Sequence, residues 1–263
     1  MGMKWANAPL MYTVAQIRFN QILSMESFVP MIQEKMRNIG FPDYRKEISK
    51  LINFPGGQPS ADTPVVQTVN RYAFGNIEKT SGFILEDSAI AFQTVDYDVF
   101  ETFLQSFLNG LSVVDDNVRL SFIERIGIRY LSAVIPTDSE KLSDYLVPEV
   151  LGMSLRITGK LSHSYTETVS TSSIGGLIAR TVIHESQVGL PPEIAQTAYA
   201  LNKRFNVNKL HAVIDLDGFY EERVPFNINE TESKLSDLHD EIEKSLKAIT
   251  LDHAHKKWES IHD

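Results

Sequence analysis

The run from Val118 to Ile135, VRLSFIERIGIRYLSAVI, constrains the chain more than any other stretch. It is long, free of proline and rich in β-branched and aromatic residues, which is the composition of a strand. Taken alternately, one side carries Leu120, Phe122, Glu124, Ile126, Ile128 and Tyr130. The other carries Ser121, Ile123, Arg125, Gly127, Arg129 and Leu131. Both sides are partly apolar, so the pattern predicts a central strand covered on both faces. Glu124, Arg125 and Arg129 sit inside it, and charges are rarely buried unless they are paired.

The flanking chain supplies partners for such a strand. Residues 10–20, LMYTVAQIRFN, read as a strand followed by a helix capped at Ser24 or Ser27, with Phe28, Ile32, Met36 and Ile39 at helical spacing and Gly40 with Pro42 as its stop. Strands are predicted at Tyr44–Phe54 and Val65–Phe74, with Pro55–Pro64 a loop by composition. Gly82–Glu86 and Ala89–Val95 form a hairpin around Asp87-Ser88. Asp98 and Glu101 resemble a capping box before the apolar stripe of Phe100, Phe103, Leu104, Phe107, Leu108 and Leu111. Asp115, Asp116 and Asn117 are expected to turn the chain into the opening strand.

Beyond Pro136 the order resumes. A helix is predicted over Leu142, Tyr145, Leu146 and Val150, ending at Gly152. Strands follow at Ser162–Ser173 and Leu177–Glu185. Residues 186–206 are an insertion, with a short helix starting at Pro191-Pro192. Leu210–Leu216 is a strand, Asp217-Gly218 a turn, and Phe219–Phe226 a returning strand. A last helix, capped at Asn229 or Thr231, carries Leu235, Leu238, Ile242, Leu246 and Ile249. The polar tail is expected to fray.

Composition bounds the function classes. The chain has 263 residues, 43% hydrophobic, enough for one large core or two smaller ones. A formal net charge of −9 disfavours broad binding of a phosphate backbone, so a nucleic-acid partner is not expected. The absence of cysteine excludes disulfides and thiol nucleophiles and fits a reducing, cytoplasmic setting. No leader-like apolar segment opens the sequence and no apolar run reaches membrane-spanning length, so neither a cleaved leader nor a membrane partner is expected.

Element order repeats. QIRF at Gln16–Phe19 aligns with GIRY at Gly127–Tyr130. Each is followed by a short loop, a capped helix, several strands and an amphipathic helix. The expected fold is therefore α+β: duplicated strand-helix-strands-helix halves, residues 1–116 and 117–263, with a largely antiparallel sheet and helices packed on it. NAPL at Asn7–Leu10, QIRF, RIGIRY at Arg125–Tyr130, LHDEI at Leu238–Ile242 and AIT at Ala248–Thr250 carry a resemblance to a sporadically distributed prokaryotic family of uncharacterised proteins. That resemblance spans nearly the whole chain. It implies no catalytic site, and its patchy distribution implies an accessory gene.

The candidate ligand-binding residues are Arg18, Glu124, Arg125 and Arg129. Around a two-fold, their guanidinium groups would converge on an anion, for which a planar fork of donors suits carboxylate or phosphate. The alternative is internal pairing with Glu124, Glu47 or another acid. Asp215 and Asp217 share a strand face by spacing, with Asp217 assigned to the Asp-Gly turn. The seven histidines show no metal spacing, so no metal and no cofactor are expected. Neither a nucleophile elbow nor a phosphate loop is present. The reading is a cytoplasmic binding or interaction protein, an accessory or antitoxin-like partner of another protein. The alternative is a small-ligand-binding enzyme with its site between the halves, using Arg18, Glu124 and Arg129. Exposed strand edges favour a homodimer.

Overall fold

The structure is a computed structural model that describes residues 7–53 and 65–259, side chains at 49–69 excepted. At its centre β1 (Leu10–Phe19) and β6 (Phe122–Val134) run antiparallel, with Ala15 opposite Ile128 and Gln16 opposite Gly127. They occupy the middle of a ten-stranded sheet. On one side lie β5 (Ala89–Thr94), β4 (Ser81–Glu86), β3 (Val65–Gly75) and β2 (Asp43–Asn53). On the other lie β9 (Asn208–Tyr220), β8 (Gly176–Gln187) and β7 (His163–Thr171), while the short β10 (Val224–Pro225) pairs with the start of β6. Every pairing is antiparallel. The fold is α+β.

The two flanks are traversed in the same sense. From β1 the chain passes through α1 (Met25–Asn38) to the outer edge at β2, then returns strand by strand to β5 beside β1 and enters α2 (Phe100–Val118). From β6 it passes through the short helices α3 (Leu142–Tyr145) and α4 (Pro148–Leu151) to the other edge at β7. It returns to β9 beside β6, then passes β10 into α6 (Ile228–Ile249). The expected single helix after Pro136 is broken because Pro148 lacks an N–H and disfavours a helical Val147, which is extended at ψ 151°.

Helices α1, α2 and α6 cover one face of the sheet, where α2 touches both of the others. The predicted stripe of α2 is the buried one: Phe100, Phe103, Leu104, Phe107, Leu108 and Leu111 enter the main core with Ile17 and Phe19 of β1 and Ile126, Ile128 and Tyr130 of β6. The opposite face is only partly covered. Residues 188–207, including α5 (Pro192–Ala195), cross it as a strap, and Val188, Ile194 and Phe205 pack on Met11, Tyr12, Leu131, Ala133 and Val213.

Several boundaries differ from the sequence reading. Asp115, Asp116 and Asn117 belong to the last turn of α2, and the reversal falls on Arg119, in the left-handed region at φ 55°. Val99, not Asp98, is the N-cap residue of α2. Asp217-Gly218 is not a turn. Both residues lie inside β9, where Gly218 leaves room for Ile242 of α6, 3.1 Å from where a Cβ would stand. Asn227 caps α6, accepting from the N–H of Asn229 and Glu230. The tail does not fray at once: α7 (Asp252–Glu259) buries Trp258 and packs against α3. The expected loop at Pro55–Pro64 lies outside the described residues.

Candidate functional site

Sheet strands point alternate residues to opposite faces, so the partly covered face is set by β1 residues Tyr12, Val14, Gln16 and Arg18 and by β6 residues Arg125, Gly127 and Arg129. The phase of β6 depends on a bulge. Arg18 lies opposite Arg125, yet the next residue, Phe19, lies opposite Ile123, leaving Glu124 as the extra residue. Ile123 therefore turns into the helix-covered core, and Glu124 comes within reach of Arg18. Strict alternation had assigned these two residues the other way.

A hollow opens over the β1/β6 junction because small residues floor it. Ala89 and Ala91 of β5 and Gly127 of β6 contribute almost no side chain to this face. The resulting cavity of about 310 Å³ is also walled by Tyr12, Gln16, Arg71, Glu86, Gln93, Arg125, Arg129 and Asp217, with Glu193, Ile194 and Thr197 of the strap along one side. This volume is at the lower end of small-molecule sites. The strap is tied down by a relay in which the Tyr12 hydroxyl donates to Gln93 Oε1 at 2.8 Å and Gln93 Nε2 donates to the Thr197 carbonyl at 2.7 Å. Burial pushes the Tyr12 phenol above its ordinary range despite the opposing pull of Arg129.

The four candidate residues have different fates. Arg129 is fixed through two of its three guanidinium nitrogens. Its Nε and Nη2 donate to the two carboxylate oxygens of Asp215 at 2.7 and 2.6 Å, and Nη2 also reaches Glu193 at 3.0 Å. Asp215 is 3% exposed and also receives Arg180 Nη1 at 3.4 Å, while Arg180 Nε donates to Glu167 at 2.7 Å. Burial works against the Arg129 cation, but bonds to Asp215 and Glu193 outweigh it and raise its pKa. Arg125 is held more loosely. Its Nη2 stands 3.7 Å from Asp217, beyond hydrogen-bond length, and the guanidinium lies near the Phe219 ring at 5.2 Å. Arg125 Nη1 is 2.7 Å from where a Cβ of residue 127 would be, so the glycine in RIGIRY is the space this guanidinium occupies.

Arg18 and Glu124 lie outside the cavity. The Arg18 side chain is half exposed and 3.9 Å from Glu124, whose main partner is Arg223 at 2.5 Å. The structure thus brings Arg125 and Arg129 together at one hollow and leaves Arg18 and Glu124 at the far end of β1. Of the three acids lining the hollow, Glu86, Glu193 and Asp217, Asp217 has the least exposed side chain. Burial raises its pKa, and Arg125 and Arg129 only partly offset that effect.

Beyond Arg129 the same face continues into a second hollow of about 590 Å³, lined by Tyr165, Glu167, Arg180, His184, His211 and Asp215. The Tyr165 hydroxyl donates to Glu167 at 2.7 Å, and burial lowers the pKa of His211. Among the described residues, no group of three or more His, Asp or Glu side chains is arranged to hold a metal ion. No described helix is long and apolar enough to cross a membrane. Sequence reasoning missed Arg71, Glu86, Asp217 as a cavity residue, and the strap acid Glu193. Only the Asp215-x-Asp217 spacing carried a signal for any of them, because the others converge from strands distant in sequence. No protein-family model matches the chain, and no curated protein sequence matches it.

Proposed function

We propose that this chain is a binding protein whose junction hollow receives a small ligand bearing an anionic group, with Arg125 as the guanidinium that meets it. The observation that carries this reading is the contrast between two arginines on one strand. Arg129 is fixed through Nε and Nη2 by Asp215 and Glu193, whereas Arg125 has only a 3.7 Å approach to Asp217 and faces open volume. Arg71, on the far wall, is held through Nε by Glu86 at 2.6 Å. A guanidinium with unused donors in a hollow lined by buried polar groups gives an anion charge-assisted hydrogen bonds that bulk water cannot match in geometry.

The proposal includes an origin by duplication, residues 1–116 and 117–263. It rests on the shared traversal of the two flanks and on the register. Gln16 and Gly127, the first residues of QIRF and GIRY, lie directly opposite each other, so a two-fold relating the motifs would pass through that pair. A cytoplasmic, accessory role beside a protein partner, as the family resemblance implies, and self-association through an exposed strand edge such as β7 are further parts of it.

The test is a thermal-shift and calorimetric titration of the full chain with inorganic phosphate, succinate, glutamate and citrate, repeated on Arg125→Gln. Saturable binding of at least one anion, weakened at least tenfold by the substitution, is the expected result. If none of the four binds the folded protein, or if Arg125→Gln binds as well as the parent, the reading falls.

A further inference from the structure

A second cavity lies on the opposite face of the same central strands, between α6 and the sheet. Its volume is about 340 Å³. Its floor is Tyr130 and Ser132 of β6 with Ile214 and Leu216 of β9, and its roof is His239, Ile242 and Leu246 of α6. Of its charged lining residues, Asp96, Asp98, Arg204 and Lys247 are solvent-exposed and mark the mouth, and the half-buried Glu243 stands 3.4 Å from Lys247.

Inside, the polar groups are neutral and mostly engaged with one another. The Tyr97 ring meets the Tyr130 ring edge-on at 5.8 Å, and the Tyr130 hydroxyl lies 2.9 Å from His239 Nδ1. His239 Nε2 faces Glu243 at 3.6 Å, which places the ring proton on Nε2 and makes Nδ1 the acceptor of the Tyr130 proton. Phe100 stacks on the imidazole at 3.9 Å, with 8° between the planes. Burial raises both phenols and lowers His239, so all three are uncharged near neutral pH. The Tyr130 hydroxyl is thus committed to His239. Ser132 is 5% exposed and belongs to the cavity lining. Its hydroxyl makes no hydrogen bond to any described residue.

We infer that this cavity is a binding site for an uncharged, largely apolar small molecule carrying a hydroxyl group. The aliphatic body lies against Ile214, Leu216, Ile242 and Leu246. Its hydroxyl pairs with that of Ser132, which can donate to it or accept from it. A charged head is excluded from the interior because no cation or anion there is unpaired to receive it. Glu243 is already shared between His239 and Lys247, the latter at 3.4 Å.

The experiment uses a matched pair of probes, 1-octanol and octanoate, titrated at neutral pH into the full chain by calorimetry. Octanol is expected to bind saturably at one site, with octanoate at least tenfold weaker. Ser132→Ala should weaken octanol by roughly three- to tenfold, the worth of one hydrogen bond. Ile242→Phe and Leu246→Trp, which fill the cavity from its depth and nearer its mouth, should abolish binding. Circular dichroism identifies which of the two filled variants is folded and therefore interpretable. No saturable octanol binding by the parent, octanoate binding as tightly as octanol, or unchanged binding in a folded filled variant would each overturn the inference.

Discussion

Replacing Asp215 by Asn tests whether the charged sheet face is a built network or a solvated surface. Asp215 has a side chain only 4% exposed and is the shared anion for Arg129 and Arg180, whose side chains are 15% and 22% exposed. Asn preserves shape and one acceptor oxygen, but it removes the charge and turns an amide NH₂ toward a guanidinium. Arg129 would keep Glu193, but that carboxylate is 61% exposed, and a pair so solvated offers at most about 1 kcal/mol. Arg180 would keep Glu167. The two guanidinium groups, which already repel across Asp215, would then share no buried counter-charge. Removing one partner of a buried ion pair costs about 3–5 kcal/mol. The surviving acceptor oxygen and outer carboxylates place this variant near the lower limit, at about 3 kcal/mol. Urea unfolding followed by circular dichroism should show that loss with an unchanged slope, and a fall in Tm of roughly 6–12 °C. In a double-mutant cycle with Arg129→Gln, the double variant should be less damaged than the sum of its parts by about 1–3 kcal/mol. A loss below about 0.5 kcal/mol, or simple additivity, would refute the claim that Asp215 organises this face.

Three further outcomes follow from other sites. Gly127→Ala should cost less than about 1 kcal/mol, since its Cβ meets only the movable end of Arg125, yet displacing that guanidinium should weaken anion binding in calorimetry at least as much as Arg125→Gln does. Glu140 accepts from the Thr137 and Tyr145 hydroxyls at 2.7 and 2.6 Å and pairs with Lys257 at 2.8 Å, which together hold its pKa well below the carboxylate range. It therefore contributes stability that is complete above the unfolded carboxylate pKa and is lost as pH falls toward its folded value, so Glu140→Gln should be destabilised at pH 7 by about 1–3 kcal/mol and should converge on the parent in strong acid, as read by urea midpoints across pH. His239 and His211 are both held neutral by burial. The unfolded chain takes up protons below about pH 6.5 that the folded chain refuses, so stability should decline from there until the folded pKa values are reached, and His239→Phe should flatten part of that slope in the same measurement.

What was legible in the sequence was whatever depends on periodicity. The α2 stripe, the hairpin at Asp87-Ser88, the β1 and β7 strands and the α+β class follow from spacings of two and of three to four residues, and these spacings survive folding. Features that depend on residues meeting from distant segments were not legible. Asp217-Gly218 carries the local signature of a turn, but pairing with Ile128 and Arg129 of β6 and with Leu177 and Ile178 of β8 holds those residues in a strand. The bulge at Glu124 leaves no mark in the alternation, because Ile123 and Glu124 read equally well in either phase. Of the candidate site, the sequence identified Arg125 and Arg129 and the face they share. It placed Arg18 and Glu124 with them, although the hollow ends before reaching either. Tyr130 in its strand and His239 at the edge of the last apolar stripe read as core and boundary residues, and both are buried. Their hydrogen-bonded order appears only once α6 lies over β6.

Arg18 and Arg129 stand at matching places in QIRF and GIRY, and their different surroundings follow from what packs beside each. Both lie two residues from the Gln16/Gly127 pair, in opposite directions along the antiparallel ribbon. Toward Arg129 lie a strap, Glu193 on that strap, and Asp215 on a neighbouring strand, and these fix an outward arginine through Nε and Nη2. Toward Arg18 the described chain offers only Glu124 at 3.9 Å, and the side chain stays half in water. Whatever its origin, the face is therefore asymmetric in use. The strap walls one side of the junction hollow and locks Arg129. It leaves Arg125, set between the locked arginine and the exposed one, as the guanidinium with both the enclosure and the unused donors that an anionic ligand needs.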